Sequence, residues 1–570
     1  EGETDSYGRP RGGVIRGATV YRTDDRGEHW RQVSETNEYM ERLSATYGWV
    51  FGQMRVDPND EDKIYVMGLA LNVSEDGGKT FRRLRGMHGD HHGLWIDPDN
   101  SDYLVNVNDG GLAISYDGGE NWRTFYDNLP LVQFFNVNYD MDEPFHVYGS
   151  IQDHGSRRGV VDLSRGRHQI PAVEWEGAPG GEGSNHAVDP TEPSTVYSAG
   201  FYGRISRANI DTGDRENIVP RAEEGEPPLR GQWLAPFIIS PHNPRIIYHG
   251  MNYLFRSMDR GDSWDRISPD LTNNNLDELG DISYQTIFSI AESPFRFGLI
   301  YVGTDDGRLH RTDDGGTTWT ELGMDLPRHK FVTGIVASKY DEATVYLSMN
   351  GKRDDDFAAY LWKSTDYGQT WEDLSNNIPC GPINVVREDP HNENVLYVGT
   401  DLGAYVSIDG GQYWHVLANN LPTTFVHDII IHPRDDIMVA ATHGRGMFAM
   451  DVRPIQQMTD TVIAKAAHLF EPEAAQLPRG RFGRPQYAFV RYYLKEAQDV
   501  TLVIQDADGN TVNEIEGTGD AGLNVAVWDL TRASGEDEGA RPRFVSPGVY
   551  TMVLAVGTET ESATMEVTRQ

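Results

Sequence analysis

The sequence predicts an all-β protein: seven-bladed β-propeller architecture built on Asp-box repeats, followed by an immunoglobulin-like β-sandwich. Three observations carry this. The pattern Ser/Thr-x-Asp-x-Gly-x-x-Trp/Phe recurs at 23–30, 74–81, 115–122, 257–264, 312–319, 364–371 and 407–414, and recurrence at a fixed design marks a repeat array. An apolar run ending in x-Pro precedes most copies, as in "FGQMRVDP", "HHGLWIDP", "FIISP", "FSIAESP" and "NVVREDP". Composition is the third: 60 Gly and 10% aromatic residues, with no helical spacing of apolar positions.

Each unit reads as strand, Pro turn, strand, loop, strand, Asp-box turn, strand, which is one propeller blade. In the Asp-box turn, Asp is expected to accept backbone N–H bonds, Gly to supply a positive φ, and Trp to pack beneath. These acids are therefore expected to be structural. Units centre on 14–34, 48–84 and 88–126, then on 132–176, 182–219, 233–268, 285–323, 330–375, 380–417 and 423–453. The first has only its outer strands, "GATVYRTDD" and "HWRQV", and an isolated partial blade leaves a sheet edge that calls for a partner. Residues 466–570 show period-2 strands ("YAFVRYYLKEAQDVTLVIQDADGNTV", "GLNVAVWDL") and read as the sandwich. "DADGN" at 506–510 reads as a hairpin turn rather than a calcium loop. The expected division is 1–128 for the last two to three blades of an incomplete first propeller, 129–455 for a complete seven-bladed one, 456–465 for a linker and 466–570 for the sandwich.

The formal charge of −37 argues against nucleic acid as a partner. No apolar run is long enough to span a membrane. The opening "EGETDSYGRPRGG" has no charged-then-apolar leader, which implies either that one was removed or that this is not the native start. The single Cys380 excludes an internal disulfide framework and a thiol zinc cluster, and is expected inside a blade.

The stretches "GDHHGLWIDPDN…NDGGLAISYDGG", "VYGSIQDHGS", "QWLAPFIISPHNP", "ISPDLT", "VVREDP" and "FVHDIIIHPRDDIMVAATHGRGMFAMDVRP" resemble the large secreted bacterial BNR/Asp-box (sortilin-type) propeller proteins, often labelled glycosyl hydrolases. They bear a distant likeness to the tandem-propeller xyloglucanases. The resemblance covers 14–453 and implies an extracellular or periplasmic location and two seven-bladed propellers. Of these, 132–453 supply one set and 1–126 only the end of the other. The remaining blades are then expected on a protein partner or an N-terminal fragment; a single nine- or ten-bladed ring is the alternative.

First strands of blades line a propeller's channel, so polar residues at their leading ends converge on one mouth. His92 and His427 each lie six residues before the Pro of their turn, with Asn384 at the same location and Asp428 beside His427. Loops after second strands add Asp109, Gln152, Asp153, His154, Asp305, Asp306, Asp401, His443 and Arg445. Three chemistries compete. A metal site at His88, Asp90, His91 and His92 is disfavoured, because adjacent residues on a strand face opposite ways and no ligand spacing supports it; no metal or cofactor is expected. Glycoside hydrolysis needs two carboxylates across a cleft, and Asp90, Asp109, Asp153, Asp305, Asp401 and Asp428 are candidates with no pair singled out. The resemblance implies a xyloglucanase-type catalytic Asp in early blades that this sequence lacks, and a sialidase's N-terminal arginine motif is absent. The preferred reading is a binding or scaffold protein that engages a glycan or protein through His92, Gln152, His154, Asp306, His427, His443 and Arg445 and through the open blade edge.

Overall fold

The computed structural model describes residues 18–43, 52–126, 129, 131–279, 283–379, 381–418, 420–478, 486–533, 543–557 and 559–569. Cys380 lies outside them. The chain is nearly all β, and as far as residue 451 it forms small sheets whose strands neighbour each other in chain order.

The repeated turns form through local hydrogen bonds. In every copy the Ser/Thr hydroxyl donates to the Asp, as in Ser74 to Asp76 at 2.8 Å and Ser407 to Asp409 at 2.7 Å. It also accepts the N–H of the Gly four residues on, for example Gly78 at 2.8 Å and Gly261 at 2.7 Å. Those glycines sit at φ between +86° and +101°, where a Cβ would be strained. The Trp then ties sheet to sheet: the indole N–H of Trp264, Trp319 and Trp414 donates to the carbonyls of Ile218, Ile267 and Leu374 in the preceding unit. The Pro turns close on a buried Asp. Asp389 accepts from the His391 N–H at 2.7 Å and from the Tyr397 hydroxyl at 2.9 Å. Its Tyr belongs to a second repeat, Tyr65, Tyr148, Tyr197, Tyr248, Tyr301, Tyr346 and Tyr397, all fully buried on second strands.

Seven successive sheets run from Asn138–Tyr139 to Met447–Asp451. Neighbouring sheets pack through shared apolar clusters, for example Leu299, Tyr301 and Leu309 of sheet four with Val332, Leu347 and Trp362 of sheet five. The seventh returns to the first: Ile430, Ile437 and Val439 share a cluster with Phe134, Phe145 and Val147. The Phe134 N–H donates to the Thr442 carbonyl at 3.0 Å and the Val137 N–H to Asp428 at 3.1 Å. The seven sheets thus form a ring around first strands, a β-propeller. Among the described residues the seventh has three strands rather than the expected four.

Ahead of the ring stand two four-stranded sheets, spanning Met54–Asp57 to Arg82–Arg83 and His91–Ile96 to Arg123–Phe125, and a two-stranded pair, Tyr21–Arg22 with Arg31–Gln32. The two larger sheets pack through Tyr65, Met67, Leu94 and Leu104. A short helix, Glu38–Arg42, is capped by the Asn37 side chain and packs Met40 on Val20 and Val66. It was not expected, since one turn of helix carries no periodic signature.

The C-terminal module is two sheets, of three and five strands, around one core that includes Trp528, Tyr492 and Leu502. Ala475–Leu477 joins the larger sheet by parallel pairing with the final strand, Glu559–Arg569. Two short helices, Arg453–Gln456 and Asp460–Ala464, lead into it from the ring. The module is fixed on the ring by ion pairs: Asp451 lies 2.8 Å from both Arg453 and Arg491, and Glu473 pairs with Arg453 and, at 3.4 Å, with Arg167. His168 stacks on Phe489 with ring centroids 4.4 Å apart.

Candidate functional site

Two polar clusters and a set of internal clasps account for the residues singled out from the sequence. The first cluster lies where the 91–125 sheet meets the ring. Asp90, in "GDHH", takes a left-handed φ of 59° just before the strand His91–Ile96. That strand's His92 projects outward and approaches Asp109 at 2.8 Å. His91 faces inward and bonds Asn106 at 2.8 Å; burial holds its imidazole below the usual range. From the ring come Gln152, Asp153 (φ 60°) and His154, on the tight turn between the second and third strands of sheet one. His154 stacks on His88 at 5.4 Å and reaches the Asp109 carbonyl at 3.3 Å.

The result is a convergence of carboxylates. Oxygens of Asp90, Asp109 and Asp153 all lie within 4.8 Å of one another. Glu182, from the glycine-rich "APGGEGSNH" segment, accepts from the Gln152 amide at 2.7 Å. Burial, together with Asp153 beside it, pushes the Asp109 carboxyl up to about 6, while His92 opposes the shift. Glu182 is raised for the same reasons, burial first and then the charges of Asp153, Asp109 and Asp90. Repulsion between like charges this close disfavours ionisation of Asp109, which therefore keeps its proton to higher pH than an isolated carboxyl. Oxygen-only ligation by three carboxylates also has the chemistry of a hard divalent cation. This donor set joins residues from 90, 109 and 153, which is why ligand spacing in the sequence did not reveal it.

The second cluster is at the ring's channel. Asp401 accepts from Asn384 at 3.0 Å and pairs with Lys352 at 2.8 Å. The Lys352 ammonium also lies 4.8 Å from the centre of the Phe425 ring, a cation–π contact. His427 and His443 meet edge to face at 5.3 Å. Burial pushes the His427 imidazole down to about 4, with His443 and Lys352 adding to the effect. Arg445 is exposed on the same turn as His443. Lys352 and Glu182 were not singled out from the sequence; the signal for Glu182 was its glycine-rich setting, and Lys352 had none.

Three candidate acids are instead taken up by the fold. Asp428 binds Arg387 at 2.7 Å and the N–H groups of Val137 and Ile429, so it joins sheets six, seven and one. Asp305 is fully buried and accepts from Gln232 and from Thr286 N–H and hydroxyl at 2.7–2.8 Å; burial pushes it up to about 7. Asp306 accepts the Thr304 hydroxyl and the Asn273 N–H.

Comparison with known proteins gives the following. Xyloglucanase Xgh74A of Acetivibrio thermocellus is 30% identical over 224 residues, 33% of this chain and 25% of that protein; the match spans about a quarter of the curated relative. Among solved structures, the Niastella koreensis GH74 enzyme aligns over 91% of this chain and 88% of its own, at 14% identity and a TM-score of 0.25. The extracellular domain of a hybrid two-component system of B. thetaiotaomicron aligns over 97% and 78%, at 10% identity and a TM-score of 0.40. No helix among the described residues is long and apolar enough to cross a membrane. Residues 247–458 match the family model described as the DUF6242 beta propeller domain, and the chain thus carries a β-propeller with distant xyloglucanase relatives.

Proposed function

We propose that this is an extracytoplasmic β-propeller binding protein that engages a polysaccharide along the cleft between the 91–125 sheet and the ring. The observation that carries the reading is the convergence of Asp90, His92 and Asp109 from one side with Gln152, Asp153, His154 and Glu182 from the other. Carboxylates, amides and imidazoles brought together in this way are groups that fix hydroxyl-rich ligands. The channel cluster of Asp401, His427 and His443 supplies a second contact region on the ring.

A hydrolase acting on a polysaccharide is the second reading, favoured by the raised Asp109 carboxyl beside Asp153 and by the xyloglucanase relatives. Hydrolysis with a carboxyl pair requires separations of about 5–5.5 Å or about 6.5–9.5 Å with sugar between. Oxygens already within 4.8 Å leave no place for a sugar ring between them, so this reading needs the junction to open. Asp109→Asn and Asp153→Asn variants, tested on a polysaccharide panel that includes xyloglucan, decide. Binding that falls at least tenfold in both, with no reducing ends released by the parent protein, supports the binding reading. Release of reducing ends that both variants abolish supports the hydrolase, and a panel left unbound and uncleaved removes both.

The reading extends to a protein partner. The division into an incomplete first blade set, a seven-bladed propeller and an Ig-like sandwich implies a face in need of cover. The 91–125 sheet presents Trp95, Val107 and Tyr116, exposed by 49%, 44% and 64%. The residue matching Trp95 by its place before the Pro turn is Ile430 in ring sheet seven and Ala291 in sheet four, and each packs on the sheet that follows. The occupant is then a sheet of the same repeat, on a separate polypeptide or an N-terminal fragment. Trp95→Asp should abolish its co-purification.

A further inference from the structure

Ring sheet two leaves space that its sister sheets fill. Across the second and third strands of sheets three to six, one cross-strand pair is large: His249 opposite Phe255, Val302 opposite His310, Leu347 opposite Trp362 and Val398 opposite Tyr405. These side chains reach toward the preceding sheet. His249 bonds the Gly203 carbonyl, His310 the Leu271 carbonyl, and Val398 and Tyr405 pack on Tyr346 and Leu361. In sheet two the same register holds Ser198 opposite Ser206. Hydroxymethyl groups stand where the sister sheets carry rings and larger aliphatic chains, and a hollow of about 500 Å3 opens, within the range of small-molecule sites, about 300–1,000 Å3.

The lining of this hollow is polar where an interface between sheets is ordinarily apolar. Ser198 and Ser206 are 3% and 6% exposed and hydrogen-bond each other at 3.0 Å. Ser206 also accepts from the Arg215 Nε at 3.1 Å. One bond between two hydroxyls uses one of their two protons, and the other has no acceptor among the described residues, so a buried donor faces the hollow. Arg204 and Arg215 stand at the rim, exposed and without an ion-pair partner among the described residues, whereas Arg207 and Arg260 close by are paired with Glu216 and Asp189. In a chain of net charge −37, two unpaired arginines beside one pocket mark a place for an anion, and guanidinium matches carboxylate. Phe201, whose ring stacks on Trp233 with centroids 4.7 Å apart, completes the wall.

We propose that this hollow binds one carboxylate-bearing sugar ring, a hexuronate unit. Ser198 and Ser206 meet its hydroxyls, Phe201 stacks on its ring, and Arg204 and Arg215 hold its carboxylate. The hollow shares Glu182 with the junction cleft, so the inference deepens the polysaccharide reading and rests on it: the uronate is one unit of the chain lying in that cleft.

The test is titration of the full chain with sodium galacturonate and sodium glucuronate, against galactose, glucose and acetate, followed by calorimetry or ligand-observed NMR. At least one uronate is expected to bind at least tenfold more tightly than the neutral sugars and acetate. The double variant Ser198→Val/Ser206→Phe, which installs residues the sister sheets carry, should fold with an unchanged or raised Tm and lose at least tenfold in uronate affinity. Arg204→Gln/Arg215→Gln, which keeps both serines while removing the charges at the rim, should lose the preference for uronate over neutral sugar, and it decides should the first variant fail to fold. Uronates that bind no better than neutral sugars or acetate overturn the proposal, as does undiminished binding in either folded variant. If a polysaccharide binds through Asp109 and Asp153 while free uronates do not, this inference fails and the wider reading stands. Failure of both removes both.

Discussion

Ile430 and Trp95 occupy the same place in their repeats, three residues before the proline of the turn, and have opposite surroundings. Ile430 closes the ring against Phe145 and Val147 of the first sheet, while Trp95 lies half exposed on a sheet face with no sheet packed over it among the described residues. The Pro turns of the two sheets close alike, the Asp97 N–H donating to the Tyr103 carbonyl at 3.0 Å and the His432 N–H to the Ile437 carbonyl at 2.9 Å. Local chemistry therefore makes the sheet, and closure of the ring makes its faces a core.

Breaking that comparison gives the largest expected effect. Ile430→Asp places an unpaired charge in the seam and should cost about 3–5 kcal/mol or prevent folding. Trp95→Asp should stay within about 0.5 kcal/mol, seen as an unshifted thermal transition. A second contrast uses the turn tryptophans. Trp414, 2% exposed and bonded to the Leu374 carbonyl, should cost about 3–5 kcal/mol on mutation to Ala. Trp30, 62% exposed and bonded only within its own turn, should cost less than about 0.5 kcal/mol; chemical denaturation of each variant checks both. Next in size is the junction. Asp109 is raised to about 6 in the folded chain, above its unfolded value, so its contribution worsens as pH rises from about 4 to about 6. Asp109→Asn should then raise the Tm at pH 8 and match the parent near pH 4. The smallest effect is at the turns. Hydrogen bonds from Thr80 and Ser74 hold Asp76 down to about 2 against the cost of burial, and those from Thr370 hold Asp366 similarly. Their stabilisation is present above the unfolded value and lost as pH falls from about 4 to about 2, so Asp76→Asn should lower the Tm at pH 7 and converge with the parent near pH 2.

Much of the architecture was legible because it is local. A hydroxyl, an Asp and a Gly at fixed offsets make one turn, and its repetition marks seven of the ten described sheets ahead of the C-terminal module, ring sheets one, two and seven having no copy. The buried Tyr repeated on seven second strands was equally available and was passed over. The candidate site was only half legible. Asp90, Asp109, Asp153 and His92 could be named as polar groups near first and second strands, but their meeting depends on how the 91–125 sheet sits on the ring, which no spacing encodes. Asp305 had the same local signal as Asp109 and serves the fold, as does Asp428 on its first strand, because burial and partners, not position in the repeat, set what a carboxylate does. Ser198 and Ser206 were hidden for a plainer reason: small residues carry no motif, and they become informative only beside Val398 and Tyr405 in register.

The contact between the Val137 N–H and Asp428 spans 291 residues of chain. Loop-closure entropy opposes it more than any strand pairing within a sheet, so the seam is the expected late step of folding. At about 5–20 residues per second of synthesis, the apolar face around Phe134 and Phe145 waits roughly 15–60 s for the segment that covers it. During that interval the growing chain has an uncovered sheet of the kind that Trp95 shows in the finished molecule. Chaperone capture, or pairing with the wrong sheet of another nascent copy, competes with closure over that time, and yield on expression should respond to translation speed more than to the stability of any single blade.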